Sequence, residues 1–287
     1  MQRPHFPSPL VGAALVGIAW VLALFLFTLQ LDPSHVERSF DIGVVGIAMT
    51  LAFGLVATLA ARRVPEPQAP RLGLVGFDAR LAPALALLLP YVIVASEVDN
   101  WIAHLIPPAD PQAVRDAIEA ARESDTTLAV VQRALFLVGI QPVVVEWLLR
   151  GVVQQGAIAY LGRAAGVIFT AIVGIGTINA GGTTPLSWAL LSVGSGALLG
   201  VVRVASGSLL APILLHMGWN AIGVAAISLG DALPIPGFNQ LDQSFTPPLL
   251  LLACTASAGL GFVLVARRLA AQPVVLPIEP DRPRDDD

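Results

Sequence analysis

Lysine is absent from this 287-residue sequence, cysteine occurs once, and charged residues of either sign are few. Charged residues make up 13% of the chain, whereas soluble globular proteins are nearer about 25%. So few charges cannot cover a water-facing surface of this size. The single cysteine, Cys254, excludes an internal disulfide. The small net charge of −4 gives no indication of nucleic-acid binding.

Hydrophobic residues are correspondingly abundant, at 55% of the chain, and the mean hydropathy is +0.76. The excess apolar surface requires lipid as its solvent, and a helix needs roughly 20 mainly apolar residues to cross the hydrocarbon core. We therefore predict an all-α, polytopic membrane bundle of about eight transmembrane helices. The predicted spans are Pro9–Leu31, Ile42–Ala61, Leu81–Glu97, Leu128–Tyr160, Ala165–Ala180, Pro185–Val204, Leu209–Leu229 and Pro247–Ala266. The fourth is too long for one straight span, and Pro142 within it predicts a kink or a broken entry.

Arginine supplies every basic residue, and its distribution predicts the orientation. If eight spans alternate, three arginines fall on one side: Arg38, Arg115 and Arg122. Eleven fall on the other: Arg3, Arg62, Arg63, Arg71, Arg80, Arg163, Arg203, Arg267, Arg268, Arg282 and Arg284. By the positive-inside rule, both termini are cytoplasmic in a multi-pass protein of the cell membrane. Residues 1–271 form the predicted bundle, and the Pro-rich, charged residues 272–287 form a disordered cytoplasmic tail.

Ionisable residues inside a bilayer are costly, so each predicts a functional site. Glu146 and Arg150 lie four residues apart on one helix face, close enough to pair. Such a pair is also typical of a structural ion pair that locks helix packing. At the outer end of the third span, Glu97, Asp99 and His104 suit an entrance or a cation site, or a polar cap at the interface.

Two further spans carry polar residues at a similar depth. Asn179 lies in the fifth span, where a lone asparagine is typical of a hydrogen bond between helices. His216 and Asn220 are four apart in the seventh span and share a face. A neutral histidine beside an asparagine is suited to binding a metal, activating water or stabilising an oxyanion, although a packed histidine is the plainer interpretation. The shared depth favours one polar site inside the bundle.

These motifs resemble the CPBP intramembrane proteases, a family that includes the CAAX prenyl proteases and bacteriocin-processing or immunity (Abi) homologues. The segment EWLLRG, from Glu146 to Gly151, is similar to the family's first motif of two glutamates, three residues and an arginine. The segment GSLLAPILLH, from Gly207 to His216, followed by Asn220, is similar to its last motif. The resemblance covers a core of about residues 130–228.

The resemblance implies roles for these residues, and the sequence departs from the family at two of them. The family's first glutamate activates the attacking water, a histidine of the middle motif assists it, and the last histidine and asparagine stabilise the oxyanion or position water. Here Val145 occupies the position of that glutamate, and Asn179 that of the middle histidine. Asparagine cannot act as a base near neutral pH. We therefore expect a degenerate site of Glu146, Arg150, Asn179, His216 and Asn220.

Three functions remain open from the sequence. The first is a family member with lost or much reduced peptidase activity that binds a membrane-embedded peptide or protein. The second is an active intramembrane endopeptidase that uses Glu146 and His216. The third is a transporter-like subunit, which requires a continuous polar path. No cofactor is indicated, although a divalent metal such as zinc stays open because metal use in the family is argued both ways.

Overall fold

The computed structural model describes residues 5–29, 42–113, 115, 116, 119, 126–177, 183–228, 232–239 and 245–272. All regular secondary structure in these residues is helical, which confirms the predicted all-α class. The helices are α1 (Pro9–Thr28), α2 (Ile42–Ala61), α3 (Gln68–Leu72), α4 (Ala82–Leu87), α5 (Tyr91–Leu105), α6 (residues 127–161), α7 (Arg163–Val173), α8 (Pro185–Ser206), α9 (Leu210–Ser228) and α10 (Pro248–Ala270).

Six helical stretches among the described residues are long and apolar enough to cross a membrane. They are Pro9–Thr28, Ala79–Leu105, Val130–Leu161, Pro185–Ser206, Leu210–Ser228 and Pro248–Ala270. The apolar stretches Val45–Ala61 and Arg163–Val173 are shorter. The chain is therefore a multi-pass membrane protein, whereas the number eight and the direction of the termini stay predictions. The disordered tail remains one as well, because residues 273–287 lie outside the described part.

Helix α6 is the centre of the bundle, and its irregularity differs from the kink or broken entry predicted at Pro142. Its helical turns alternate with two π-helical segments, Ala134–Ile140 and Trp147–Val153. Pro142 lies in the first turn of the α-helical segment Gln141–Glu146. Inside a continuous helix a proline removes one backbone hydrogen bond, and Pro142 directly follows a π-helical segment, where the regular hydrogen-bond pattern already changes. A π-helical segment inserts an extra residue into a turn and so changes which side chains share a face.

Two apolar clusters form much of the core. In the first, α1 and α2 pack against α6 through small and aromatic residues, among them Ala19, Ala52 and Phe53, and the Phe53 ring meets Trp20 edge-on at 5.5 Å between centroids. The second joins α8, α9 and α10 to the end of α4 through Leu88, Leu199, Leu215 and Val265. In the apolar stretch of α6, 61% of the residues are buried inside the protein, against 22% in α1 and 17% in α10. Polar groups on α6 are thus kept from lipid.

Local sequence signals fix the ends of α8, the helix that faces α6. Thr184 and Ser187 form a reciprocal capping box at its start, in which each side chain accepts the other's backbone N–H, at 3.2 and 3.1 Å. Pro185 occupies the first turn. At the other end, Gly207 adopts a left-handed conformation with φ of 68°, which a residue without a Cβ adopts readily. The helix therefore holds a defined register along α6.

Candidate functional site

Glu146 lies at the junction of α-helical and π-helical turns in α6, and its carboxylate contacts two residues. Oε1 lies 3.0 Å from Nδ1 of His216 on α9, and Oε2 lies 3.1 Å from Nε of Arg150. All three side chains are at most 1% exposed. The structure therefore contains the anticipated Glu146–Arg150 pair and brings His216 to the same carboxylate.

The sequence argument placed Glu146 about 100° around an α-helix from the position of the family's water-activating glutamate, and so away from its face. The structure agrees with that rotation, because Val145 and Glu146 both lie in the α-helical segment Gln141–Glu146 and face different neighbours. Val145 lies in the apolar cluster of α1, α2 and α6, whereas Glu146 contacts α9.

Arg150 has a second anchor across the interface with α8. Its Nη2 donates to the carbonyl oxygen of Gly196 at 2.7 Å. About one turn further along both helices, Gln154 Nε2 donates to the carbonyl oxygen of Gly200 at 2.9 Å. These two hydrogen bonds join Arg150 and Gln154, four residues apart on α6, to two glycines four residues apart on α8. The Arg150 guanidinium is therefore positioned by α6 and α8 together.

Sequence reasoning missed Gln154, Gly196 and Gly200, although a signal for them exists. Two glycines four apart in an apolar helix are typical of close helix packing in membranes. A Cβ added at Gly196 would lie 3.3 Å from Arg150 Nη2, and one at Gly200 would lie 2.9 Å from Gln154 Oε1. The glycines therefore leave the room in which the two polar side chains reach the α8 backbone.

Helix α9 contributes the histidine and also fixes its own position through polar contacts. Asn220 Nδ2 donates to the carbonyl oxygen of Leu137, in the first π-helical segment, at 2.6 Å. Trp219 Nε1 donates to the carbonyl oxygen of Leu88 at 3.0 Å. Asn220 therefore joins α9 to α6 one turn away from His216. Of the five predicted site residues, the structure brings together Glu146, Arg150 and His216 directly, with Asn220 beside them.

Asn179, the fifth predicted site residue, lies outside the described part of the chain. The last described residue before it, Thr177, approaches α6, where Gln141 Nε2 donates to its carbonyl oxygen at 3.3 Å. The fifth predicted span reached Ala180, but α7 ends at Val173. Gly174 and Gly176 follow, and glycines disfavour helix continuation.

Four buried atoms of the site have no hydrogen-bond partner among the described residues: Glu146 Oε2, Arg150 Nε, Arg150 Nη1 and His216 Nε2. The first two face each other as an ion pair at 3.1 Å, and His216 Nε2 and Arg150 Nη1 face no partner. If Glu146 is ionised, the proton on His216 sits on Nδ1 and Nε2 is an acceptor. The histidine thus presents a hydrogen-bond acceptor, and the arginine a donor, to any molecule that enters the site. Such groups are capable of holding a peptide N–H or carbonyl, or water.

The donor set of this site does not fit a zinc ion. Catalytic zinc takes three protein ligands, and structural zinc takes four. In the described ranges no group of three histidine, cysteine, aspartate or glutamate side chains is arranged to hold a metal. Only Glu146 and His216 offer such ligands here, and the Arg150 guanidinium on the same carboxylate repels a cation.

Glu97 and Asp99 of α5, which the sequence suggested for an entrance or a cation site, hold neighbouring loop residues by hydrogen bonds. Glu97 accepts hydrogen bonds from Trp101 Nε1 at 2.6 Å and from the backbone N–H of Thr246 at 2.8 Å. Asp99 accepts from the backbone N–H and the hydroxyl of Thr183 at 2.9 and 3.1 Å. Their oxygens bind protein donors, so this cluster favours the structural cap over the cation site.

Comparison with known proteins bears on the segment that builds this site. A family model described as "Rce1-like: Type II CAAX prenyl endopeptidase Rce1-like" matches residues 127–222. This range covers α6 to most of α9, and it confirms the resemblance predicted from the two motifs. Comparisons with curated proteins and with solved structures gave no significant match.

Proposed function

We propose that this CAAX protease-like membrane protein has lost all or most of its peptidase activity and acts by binding a peptide or protein within the membrane. The carrying observation is that both carboxylate oxygens of Glu146 are engaged, Oε1 by His216 and Oε2 by Arg150, in a cluster that is at most 1% exposed. Placement in the cell membrane with both termini cytoplasmic belongs to the same proposal.

A general base must come within hydrogen-bond reach of the water that it activates. A water that hydrogen-bonds to Glu146 Oε2 competes there with the Arg150 guanidinium, whose Nε lies 3.1 Å away. Release of Arg150 leaves a buried guanidinium without its counter-charge, and that costs about 3–5 kcal/mol in comparable cases. The carboxylate is better suited to holding the two neighbouring side chains in place than to taking up a proton.

The residue before Glu146 adds to this proposal. Val145 occupies the position of the family's first glutamate, has no titratable group and is fully buried in the apolar cluster with Val16 and Phe53. General-base catalysis contributes about 10²–10⁴-fold to rate, so its loss removes most turnover by the family mechanism. The binding function uses what is left: the acceptor His216 Nε2 and the donor Arg150 Nη1.

One observation favours the second candidate, an active endopeptidase. The Glu146 carboxylate orients the His216 imidazole through Nδ1, and the free Nε2 is then placed to take a proton from water. In this alternative His216 is the base and Glu146 is its positioning residue. The two candidates differ in whether bound peptides are cut.

The test uses the full chain in lipid vesicles with synthetic membrane peptides, including prenylated peptides that end in a CAAX sequence. Cleavage is measured by mass spectrometry, and binding by photo-crosslinking of the same peptides. We expect crosslinking without cleavage, and loss of crosslinking in His216→Ala. Cleavage that His216→Ala abolishes would establish the endopeptidase instead.

His104→Ala is the matched control, because His104 is an exposed histidine at the far end of α5, packed against Phe245. This variant should bind peptides as the wild type does. Equal loss of crosslinking in both variants would contradict a peptide site at His216.

A further inference from the structure

Arg203, in the last turn of α8, is a buried cation whose charge no described residue balances. Its side chain is 9% exposed. Nη2 donates to the backbone carbonyl oxygen of Arg71 at 3.1 Å, and Nε has no hydrogen-bond partner. No ion pair to a carboxylate involves Arg203 within the described ranges. A carbonyl oxygen satisfies one N–H but does not neutralise the guanidinium.

The surroundings hold the Arg203 guanidinium in a fixed place. Gly73 follows α3 with φ of 76°, and a Cβ added there would lie 2.5 Å from Cζ of Arg203, so only glycine permits this approach. The carbonyl oxygen of Gly73 accepts the backbone N–H of Leu209 at 2.8 Å, and the Ser208 hydroxyl donates to the carbonyl oxygen of Val75. The segment after α3 is thus fastened to the α8–α9 turn around the cation.

The same end of the bundle is rich in arginine. Contacts connect its parts: Arg268 pairs with Asp78 at 2.6 Å, Arg163 donates to the carbonyl oxygen of Leu269 at 3.4 Å, and Gln272 donates to the carbonyl oxygen of Ala205 at 3.3 Å. Eight arginines lie in these and the adjoining described segments: Arg62, Arg63, Arg71, Arg80, Arg163, Arg203, Arg267 and Arg268. Their acidic counterparts there are Glu66 and Asp78. This end therefore attracts anions.

We propose that the Arg203 guanidinium binds the phosphate of an anionic phospholipid headgroup at this end of the bundle. A buried guanidinium requires a counter-charge, and phosphate suits its forked donors. The ends of membrane helices lie at the depth of the headgroups, where basic pockets between helices take anionic lipids. The lipid would supply the negative charge that the described residues lack.

The experiment measures lipid retention by the full chain. The protein is purified from nanodiscs of phosphatidylcholine mixed with phosphatidylglycerol, and co-purifying lipids are counted by native mass spectrometry. The wild type should retain phosphatidylglycerol preferentially. Arg203→Gln should lower this preference roughly tenfold, the loss of one charge-assisted contact. Arg203→Lys keeps the charge but not the forked donors, so its preference for phosphatidylglycerol should lie between those of the wild type and Arg203→Gln.

Arg267→Gln is the matched control, because it removes the same charge from an exposed side chain at the same end. If the preference reflected net charge alone, Arg267→Gln and Arg203→Gln would reduce it equally, and the site at Arg203 would be refuted. Equal retention of both lipids by the wild type would refute it too.

Adding inorganic phosphate to the detergent-solubilised wild type tests the source of the anion. Thermal stabilisation by phosphate as large as that by phosphatidylglycerol would overturn the assignment to a lipid.

Should Arg203→Gln fail to fold, the wild type still decides the question. Its melting temperature is then compared in phosphatidylcholine alone and with phosphatidylglycerol added. Stabilisation by the anionic lipid that high salt removes is the expected result, because screening weakens the contact at the interface. An unchanged melting temperature would count against the site.

Discussion

Two buried arginines of this protein, Arg150 and Arg203, show two ways of keeping a guanidinium out of water. Arg150 lies in the centre of the bundle, where the Glu146 carboxylate approaches it at 3.1 Å and the Gly196 carbonyl oxygen at 2.7 Å. Arg203 lies at the end of α8, and its Nη2 donates to the backbone carbonyl oxygen of Arg71. The central cation therefore carries its counter-charge within the fold, whereas the terminal one has access to the charges of the membrane surface.

The comparison bears on the role of Glu146. A carboxylate that neutralises a buried arginine is required for stability whether or not the protein cuts peptides. The Glu146–Arg150 pair therefore suits the proposed loss of activity, in which the fold keeps its central ion pair without the family's catalytic groups. The predictions below separate the structural role of each contact from a catalytic one.

The largest expected effect comes from Glu146→Gln, which leaves the Arg150 charge buried without its carboxylate. We expect a loss of about 3–5 kcal/mol in the free energy of unfolding, measured by denaturant titration in mixed micelles. The double variant Glu146→Leu with Arg150→Met removes both charges and should recover most of that loss. A double variant as unstable as the single one would show that the ion pair is not the stabilising element.

A smaller effect is expected at the α6–α8 contact. In Gly200→Ala the new Cβ lies 2.9 Å from Gln154 Oε1 and 2.9 Å from Val167 Cγ1, so α6, α7 and α8 must shift apart. Overpacking of this kind costs about 1–3 kcal/mol. The comparison variant is Gly223→Ala in α9, where no neighbouring atom lies within 4 Å of the added Cβ.

Thermal melting in detergent compares these two glycine variants. Gly223→Ala should be neutral or slightly stabilising, because alanine favours a helix more than glycine does. If Gly200→Ala melted at the temperature of Gly223→Ala, the close approach of α6 and α8 would be wrong.

The smallest effect concerns the exposed pair of Asp78 and Arg268. The backbone N–H of Arg80 and then the Arg268 guanidinium lower the pKa of Asp78. A lowered carboxyl pKa stabilises the folded state above the ordinary aspartate range, and this contribution disappears as pH falls through the folded-state pKa. In Asp78→Asn, the free energy of unfolding should therefore fall less steeply below the ordinary aspartate pKa range than in the wild type. Chemical denaturation at a series of pH values measures this. A marked loss at neutral pH would contradict the minor role of this exposed pair.

Much of the fold followed from the sequence because hydropathy and length report directly on lipid burial. Six of the predicted spans coincide with long apolar helices, and the i, i+4 spacing correctly paired Glu146 with Arg150. The i, i+4 spacing of His216 and Asn220 also placed them on one face of α9. Their functional roles stay predictions.

The sequence anticipated Glu146 and His216 in one polar site, and the structure adds the 3.0 Å distance between them. The π-helical turns of α6 were beyond the sequence, because such turns have no composition signal of their own. The burial of Arg203 could not be predicted from the sequence either. The sequence placed Arg203 among the basic residues at a membrane surface, but only the packing around Gly73 shows the guanidinium buried.

The most direct test of the proposed loss of peptidase activity is a census of new peptide ends in a membrane proteome. Membranes are incubated with the reconstituted wild type or with His216→Ala, and the termini are quantified by mass spectrometry. The two samples should give the same termini, because the site binds peptides without cutting them. A set of cleavage products present with the wild type and absent with His216→Ala would contradict the account and identify an active intramembrane endopeptidase.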